Sequence, residues 1–396
     1  MRALWITCHL PHPASSGGRL RELELLRRLA PAMDVELIAV SKTPEADVEA
    51  AQGFDLPART TVVAAEADET ARCAQVARHA SRAATAAVAD ALTERTPDLV
   101  HVEGFYLMQH LPPAVDVPEL LVDQNIEAAL WAQRAAVATD VEAERAALAE
   151  ARRCEAAEVA AWRRADLCAF VTEDDAELAR SIAPDLRTRV VPDGADHLSP
   201  MTAGVLAPAP DRPTMCFVGN FAYEPNVDAA RFLLTEVLPR VRREVPDVHL
   251  QLVGNAPPDW LRAEGDRSGA TVTGWVPSVT PYLATADVVV CPLRVGGGVK
   301  VKVLEALSVG AAVVTTPVGA QGLRTDLGAP LVVEPTATRV AGAVSSLLGD
   351  PQARHRLRAA ARATARSMPT WDEAATSLSR CYAELAGRPV AEAVPA

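Results

Sequence analysis

Basic surface is scarce in this chain of 396 residues. Its 39 Lys and Arg stand against 51 Asp and Glu, a formal net charge of −12. That excludes a general nucleic-acid binder, whose affinity rests on basic surface facing phosphates, so any anionic ligand has to be held locally. Lysine is scarcer still: only three of the 39 basic residues are lysine, and two of them, Lys300 and Lys302, flank one valine. No run of 18 apolar residues occurs, which excludes an ordinary membrane-spanning helix. The start, Met1 to Cys8, meets Pro11 and Pro13 too soon for a signal peptide and reads as a strand. The seven cysteines are widely spaced, odd in number and without a Cys-x-x-Cys pair, the pattern of a reduced, cytoplasmic protein. Asp-x-Asp, Gly-x-Gly-x-x-Gly and any repeat of 20 to 50 residues are all missing.

What is present is alternation. Short β-branched runs are separated by longer Ala/Leu/Arg/Glu segments of helical period, the pattern of βα units around parallel sheets, and the length calls for two such domains. Strands are expected at Ala3–Cys8, Val35–Val40, Leu99–Val102, Leu120–Val122, Leu167–Val171 and Arg189–Val191 in the first half. In the second half they are expected at Met215–Val218, His249–Val253, Thr271–Thr273, Asp287–Cys291 and Ala312–Thr315. Helices are placed at Arg19–Leu29, Val227–Arg243 and Lys300–Val309, with one bent helix or two between Ile126 and Arg164. A proline-rich stretch without periodicity, Ser199 to Pro213, reads as a linker. The boundaries are then 1–198, 199–213, 214–370, and a final helical segment 371–396. Ligands of doubly wound sheets bind outside the carboxyl ends of the strands, so the loops after strands carry the candidate chemistry.

The clearest of these loops follows the strand ending at Cys291: Leu293-Arg-Val-Gly-Gly-Gly298, then Val299 and a helix from about Lys300. Gly296, Gly297 and Gly298 let backbone approach an anion, and the helix start adds amides and the positive end of the dipole. Arg294, Lys300 and Lys302 are candidate catalytic cations that stabilise charge on a departing diphosphate. A flexible turn with solvated lysines, Lys302 pairing with Glu305, is the plainer alternative. Glu305 lies among Val, Leu and Ala, where a carboxylate needs a partner; a ribose diol would serve.

In the first half, the loop after the first strand reaches Gly17 and Gly18, candidates to face an anion or an acceptor, or a simple helix entry. Arg19, Arg21, Arg27 and Arg28 offer a peripheral contact with an anionic membrane face, but Glu22 and Glu24 dilute it, and an ordinary solvated helix is the favoured reading. Asp123, Gln124 and Asn125, with Glu127, crowd the end of one strand, and His101 and Glu103 the end of another. They are candidates to orient sugar hydroxyls or an acceptor, or else helix caps.

These pieces together resemble the retaining glycosyltransferases of family four, which have the GT-B fold. The residues that carry the resemblance are Phe217-Val-Gly-Asn-Phe-Ala-Tyr-Glu-Pro-Asn226, Gln251-Leu-Val-Gly254, Gly274-Trp-Val276, Gly296 to Ala306, Gly310 to Thr315, and, earlier, Gly17-Gly18, Ala165-Asp166 and Val191 to Gly194. The resemblance implies two Rossmann-like doubly wound domains facing a central cleft, with the tail after Trp371 crossing back to the first. It implies a nucleoside diphosphate sugar as donor and a hydroxyl acceptor, whether glycan, lipid-linked sugar or small metabolite. Configuration would be retained; no cofactor is expected, and, with Asp-x-Asp missing from the chain, protein cations are expected to replace a metal. Glu305 would bind ribose hydroxyls, the backbone near Val276 would face the base, and Gly219, Asn220, Gly296 to Gly298 and Val299 would line the donor. The chain departs from the family pattern at Gly297, where the first Glu of a Glu-x7-Glu pair usually stands. It departs again at Asn220 and Tyr223, which replace an Arg and a Lys, and at Gln124 or Asn125, which replace a His. It thus fits a glycine-rich branch. An epimerase on the same fold and a non-catalytic nucleotide-sugar or glycan binder are the alternatives.

Overall fold

The computed structural model describes residues 1–53, 59–68, 70–197, 211–323 and 331–387. The chain divides into two compact units, Met1–Gly194 with the segment from Thr370 on, and Ala195–Pro369. Most of the proline-rich stretch from Ser199 to Pro213 lies outside the described residues.

The first unit holds a seven-stranded parallel sheet: β1 (Arg2–Thr7), β2 (Asp34–Ser41), β3 (Arg59–Ala64), β4 (Leu99–Glu103), β5 (Glu119–Asp123), β6 (Leu167–Phe170) and β7 (Thr188–Val190), in the order β3-β2-β1-β4-β5-β6-β7. The second holds six parallel strands: β8 (Thr214–Val218), β9 (His249–Val253), β10 (Thr271–Val272), β11 (Val288–Cys291), β12 (Val313–Thr315) and β13 (Leu331–Val333), ordered β10-β9-β8-β11-β12-β13. Strands such as β4, β5 and β11 are buried along their whole length. They are covered on both faces, which is why they read as continuous apolar runs. β3 and β13 were not expected from the sequence. Both are edge strands, β3 with an alternately exposed Arg-Thr-Thr-Val-Val-Ala and β13 only three residues long, so neither carries the buried apolar run that marks the others.

Two helices differ from the sequence reading for local reasons. The stretch from Ile126 to Arg164 is two helices, Glu127–Ala136 and Val141–Arg164, the second capped by Asp140, whose carboxylate accepts from the Ala143 amide at 2.8 Å. The expected helix Val227–Arg243 runs as Glu224–Phe232, a π-helical turn Leu233–Val237, and Leu238–Glu244. Pro239 follows that turn and has no amide to continue the ladder. The last helix, Trp371–Ala386, packs Trp371, Ala374, Ala375, Leu378 and Tyr382, one face at helical spacing, into the first unit's core. Among the described residues no helix is long and apolar enough to cross a membrane.

Each sheet reverses its strand order once, between β1 and β4 in the first unit and between β8 and β11 in the second. These switch points are where a doubly wound sheet opens a crevice at its carboxyl ends.

Candidate functional site

At the second unit's switch point the loop after β8 and the helix after β11, Val301–Ser308, are tied together by one side chain. Asn226 donates from Nδ2 to the Asn220 carbonyl at 2.8 Å, and its Oδ1 accepts from the Lys302 ammonium. Lys302 also stands over the Phe217 ring, 4.8 Å from its centroid. Burial lowers its pKa, opposed by the charges of Cys291 and Glu305. The backbone beneath is packed at contact distance: Gly254 has φ +142°, and a Cβ there would lie 2.0 Å from the Gly219 carbonyl oxygen. Only glycine fits.

The glycine loop is held from below. Lys300 is buried, and its ammonium donates to the carbonyls of Gly298 at 2.7 Å and Gly297 at 3.1 Å and to Gln321 Oε1 at 3.3 Å. It therefore shapes the loop and lends it charge, rather than standing free beside it as the sequence suggested. Val299 is half-buried at the entry to the helix Val301–Ser308. Arg294 also departs from its expected part. Its guanidinium is gripped by both carboxylate oxygens of Asp228, with Nε to Oδ2 at 2.9 Å, and lies over the Phe232 ring. An arginine so neutralised is a strut between β11's loop and the helix Glu224–Phe232. Glu305 pairs with His197 Nε2 at 3.1 Å, and Val276 packs half-buried on the second unit's core beside Trp275, which is 69% exposed. His197 and Asp228 were not singled out from the sequence, and Asn226 was named only as the end of a landmark segment with no role, because their partners lie 66 to 108 residues away.

At the first unit's switch point a cavity of about 80 Å³ is lined by residues that include Cys8, His9, Glu22, Glu103, Tyr106, Asp123, Gln124 and Asn125. Gly18 backs onto it: a Cβ there would meet Gln124 Oε1 at 2.9 Å. Gln124 donates to Glu103 Oε2 at 3.2 Å, Glu103 Oε1 lies 2.9 Å from His101 Nε2, and His101 Nδ1 lies 2.7 Å from the Tyr382 hydroxyl. His101 itself is wholly buried and stacked on Trp5, so it supports Glu103 from the core and does not reach a ligand. Burial pushes Glu103 up, but the hydrogen bond and charge of His101, with Arg21 and Gln124, hold it below the usual carboxylate range. Asn125 bonds Glu127 at 3.1 Å. Gly17 is exposed and opens the helix Gly17–Leu29. That helix is not the solvated face expected of it. Arg19 binds Asp47, Arg21 is buried against Asp193, Arg27 pairs with Glu24, and Arg28 with Glu24 and Asp372.

Asp123 is a structural acceptor. It takes the Phe105 amide at 2.9 Å and the Trp162 indole at 2.7 Å, and burial raises its pKa to about 7. Nearby Glu158, 0% exposed, accepts the Glu127 and Ala128 amides at 2.6 and 3.2 Å, yet burial and the Asp123 charge raise it to about 9. Both groups bind their proton more tightly folded than unfolded. The stability they contribute is complete below the ordinary carboxylate range and is lost as pH rises through about 7 and then about 9. The expected loss is at most about 1.4 kcal/mol per pH unit for each proton released. Denaturant titrations at pH 5, 7 and 9 should show the decline, and Glu158→Gln should flatten its alkaline part; an unchanged slope in that variant would refute the assignment.

Residues 212–350, which contain β8 to β13, match the family model for glycosyl transferases group 1. Phosphatidyl-myo-inositol mannosyltransferases of Mycobacterium tuberculosis and Mycobacterium bovis are 30% identical over 208 residues, 50% of this chain and 54% of theirs. The chain thus spans about half the length of the curated relatives it matches. Among solved structures, sucrose-phosphate synthase from Thermosynechococcus elongatus superimposes with a TM-score of 0.72 at 18% identity, covering 97% of this chain and 99% of that one. WaaG, a glycosyltransferase involved in lipopolysaccharide biosynthesis, gives 0.69 at 15%, covering 98% and 100%. Anabaena HepE, solved in complex with UDP-glucose, gives 0.69 at 13%, covering 97% and 100%. The fold is that of the GT-B glycosyltransferases, with two parallel-sheet α/β units.

Proposed function

We propose that the chain is a glycosyltransferase that moves a sugar from a nucleoside diphosphate sugar to a hydroxyl acceptor, with retention of configuration and without a metal. The observation that carries this reading is Lys302. It is one of three lysines in the chain, half-buried, and held by Asn226 to the loop at the carboxyl end of β8. The glycine loop Gly296–Gly298 and the start of the helix Val301–Ser308 lie beside it, a combination suited to a diphosphate. In this reading Lys302 stabilises the charge that grows on the diphosphate as the sugar bond breaks, Lys300 keeps the loop in shape, and Glu305, oriented by His197, receives the ribose hydroxyls. Gly219, Asn220 and the backbone at Val276 complete the donor side. Gln124, Glu103 and Asn125 offer polar groups to an acceptor. The sugar-transferring relatives named above support the reaction class, and a lysine at the diphosphate, together with the lack of Asp-x-Asp, supports independence from metal.

Phosphorus NMR of the protein incubated with a panel of nucleotide sugars and hydroxyl acceptors tests this. Release of nucleoside diphosphate that is insensitive to EDTA is expected, and the anomeric proton coupling of the product reports retention. Donor binding without release across the panel would replace the proposal with a binding protein, and loss of release in EDTA would overturn the metal-free part.

A further inference from the structure

The residue directly after β1 is Cys8, and its surroundings differ from those of the other six cysteines, all of which are buried while Cys8 is partly exposed. Its Sγ lies 3.2 Å from His9 Nδ1, and His9 Nε2 lies 3.0 Å from Glu22 Oε1. Glu22 is wholly buried, and its other oxygen accepts from the Thr7 hydroxyl at 2.5 Å. A nucleophile thus has a base at hydrogen-bonding distance, and a buried carboxylate stands within ion-pair range of that base although His9 Nε2 and Glu22 Oε1 do not meet in hydrogen-bond geometry, an arrangement that activates a thiol. None of the three is used in the sugar transfer proposed above.

We propose that Cys8 is an activated thiolate and a site of covalent modification by hydroperoxides and soft electrophiles that enter the cavity at the end of β1. The cavity has the room, at about 80 Å³, and Cys8 lines it. The other groups that face the sulfur are His79 and Tyr106, whose rings stack at 4.1 Å, and Lys42 beyond β2. Burial alone would raise the thiol and lower the imidazole. The charges of His9 and His79 reverse the first and leave Cys8 well below its ordinary value, those of Cys8 and Glu22 reverse the second and leave His9 well above its own, and burial raises Glu22 itself to about 7. With a hydroperoxide, the thiolate attacks the terminal oxygen. A sulfur–oxygen bond forms and the oxygen–oxygen bond breaks; sulfur gives up two electrons to become the sulfenic acid, and the departing alkoxide or hydroxide takes its proton from the His9 imidazolium.

Iodoacetamide labelling of the full chain at pH 6.5 and 8.5, read peptide by peptide by mass spectrometry, decides the matter. An ordinary thiol of pKa about 8.5 loses roughly 50-fold in rate between those pH values. Cys8 should lose less than about threefold. His9→Asn should restore the steep dependence, Glu22→Gln should restore part of it, and hydrogen peroxide should make Cys8 reactive to dimedone. Peptide resolution separates Cys8 from Cys73, whose thiol is drawn down to about 7 by its hydrogen bond with Cys154. A 50-fold fall at Cys8 in the unsubstituted protein, or no labelling of Cys8 in the folded chain, overturns the proposal whether or not the variants fold.

Discussion

Lys302→Ala is expected to lower turnover by roughly 10²- to 10³-fold and to weaken nucleotide-sugar binding with it, the loss typical of removing one preorganised donor from a developing anion. The expectation rests on how few cations the site can spare. Arg294 is engaged with both oxygens of Asp228, and Lys300 spends its donors on the Gly297 and Gly298 carbonyls and Gln321. Lys302 instead bonds a neutral amide oxygen, that of Asn226, which an anion can outcompete. Its stem also fills space against Phe217, so alanine removes packing as well as charge. Lys302→Met separates the two. It should unfold at nearly the denaturant concentration of the unsubstituted protein yet share the loss of turnover. Isothermal titration with the donor and initial rates on both variants provide the check; normal binding and turnover in either would remove Lys302 from the diphosphate.

The strand–glycine–helix order of this loop was legible because each part is local: an apolar run, three adjacent glycines and a helical period lie within twenty residues of sequence. The parallel architecture was legible for the same reason, since strands covered on both faces leave unbroken apolar runs. What the sequence hid are partners contributed from elsewhere. Nothing near Arg294 announces Asp228, and nothing near Glu305 announces His197. Cys8 and His9 are adjacent in sequence, but Glu22 becomes their partner only when the helix Gly17–Leu29 folds back beside β1. The edge strands β3 and β13 were hidden differently. Their exposure and brevity leave no hydrophobic signature to read.

Arg21 shows how far a helix's charge pattern can mislead, and it carries the largest expected effect on stability. In a sequence rich in arginine it reads as one more solvated cation just ahead of two glutamates. In the fold its side chain is 1% exposed, with Nη1 donating to Asp193 Oδ1 at 2.6 Å and to the Pro192 carbonyl at 3.1 Å, and Nη2 to the Val191 carbonyl at 2.9 Å. These bonds fasten the first helix to Val191–Asp193, the segment after β7 that immediately precedes the end of the first unit's stretch at Gly194. Arg21→Met keeps most of the volume but removes the guanidinium from the Asp193 carboxylate, which is 8% exposed. Breaking one side of a buried pair costs about 3 to 5 kcal/mol, whereas replacing both sides with apolar groups is often close to neutral. Guanidinium denaturation should therefore show a large fall in midpoint at unchanged slope for Arg21→Met, with much of it recovered in the Arg21→Met, Asp193→Leu double variant. A solvated arginine would shift stability by no more than about 0.5 kcal/mol. A result that small would return Arg21 to the surface and leave the Val191 to Asp193 segment held by other means.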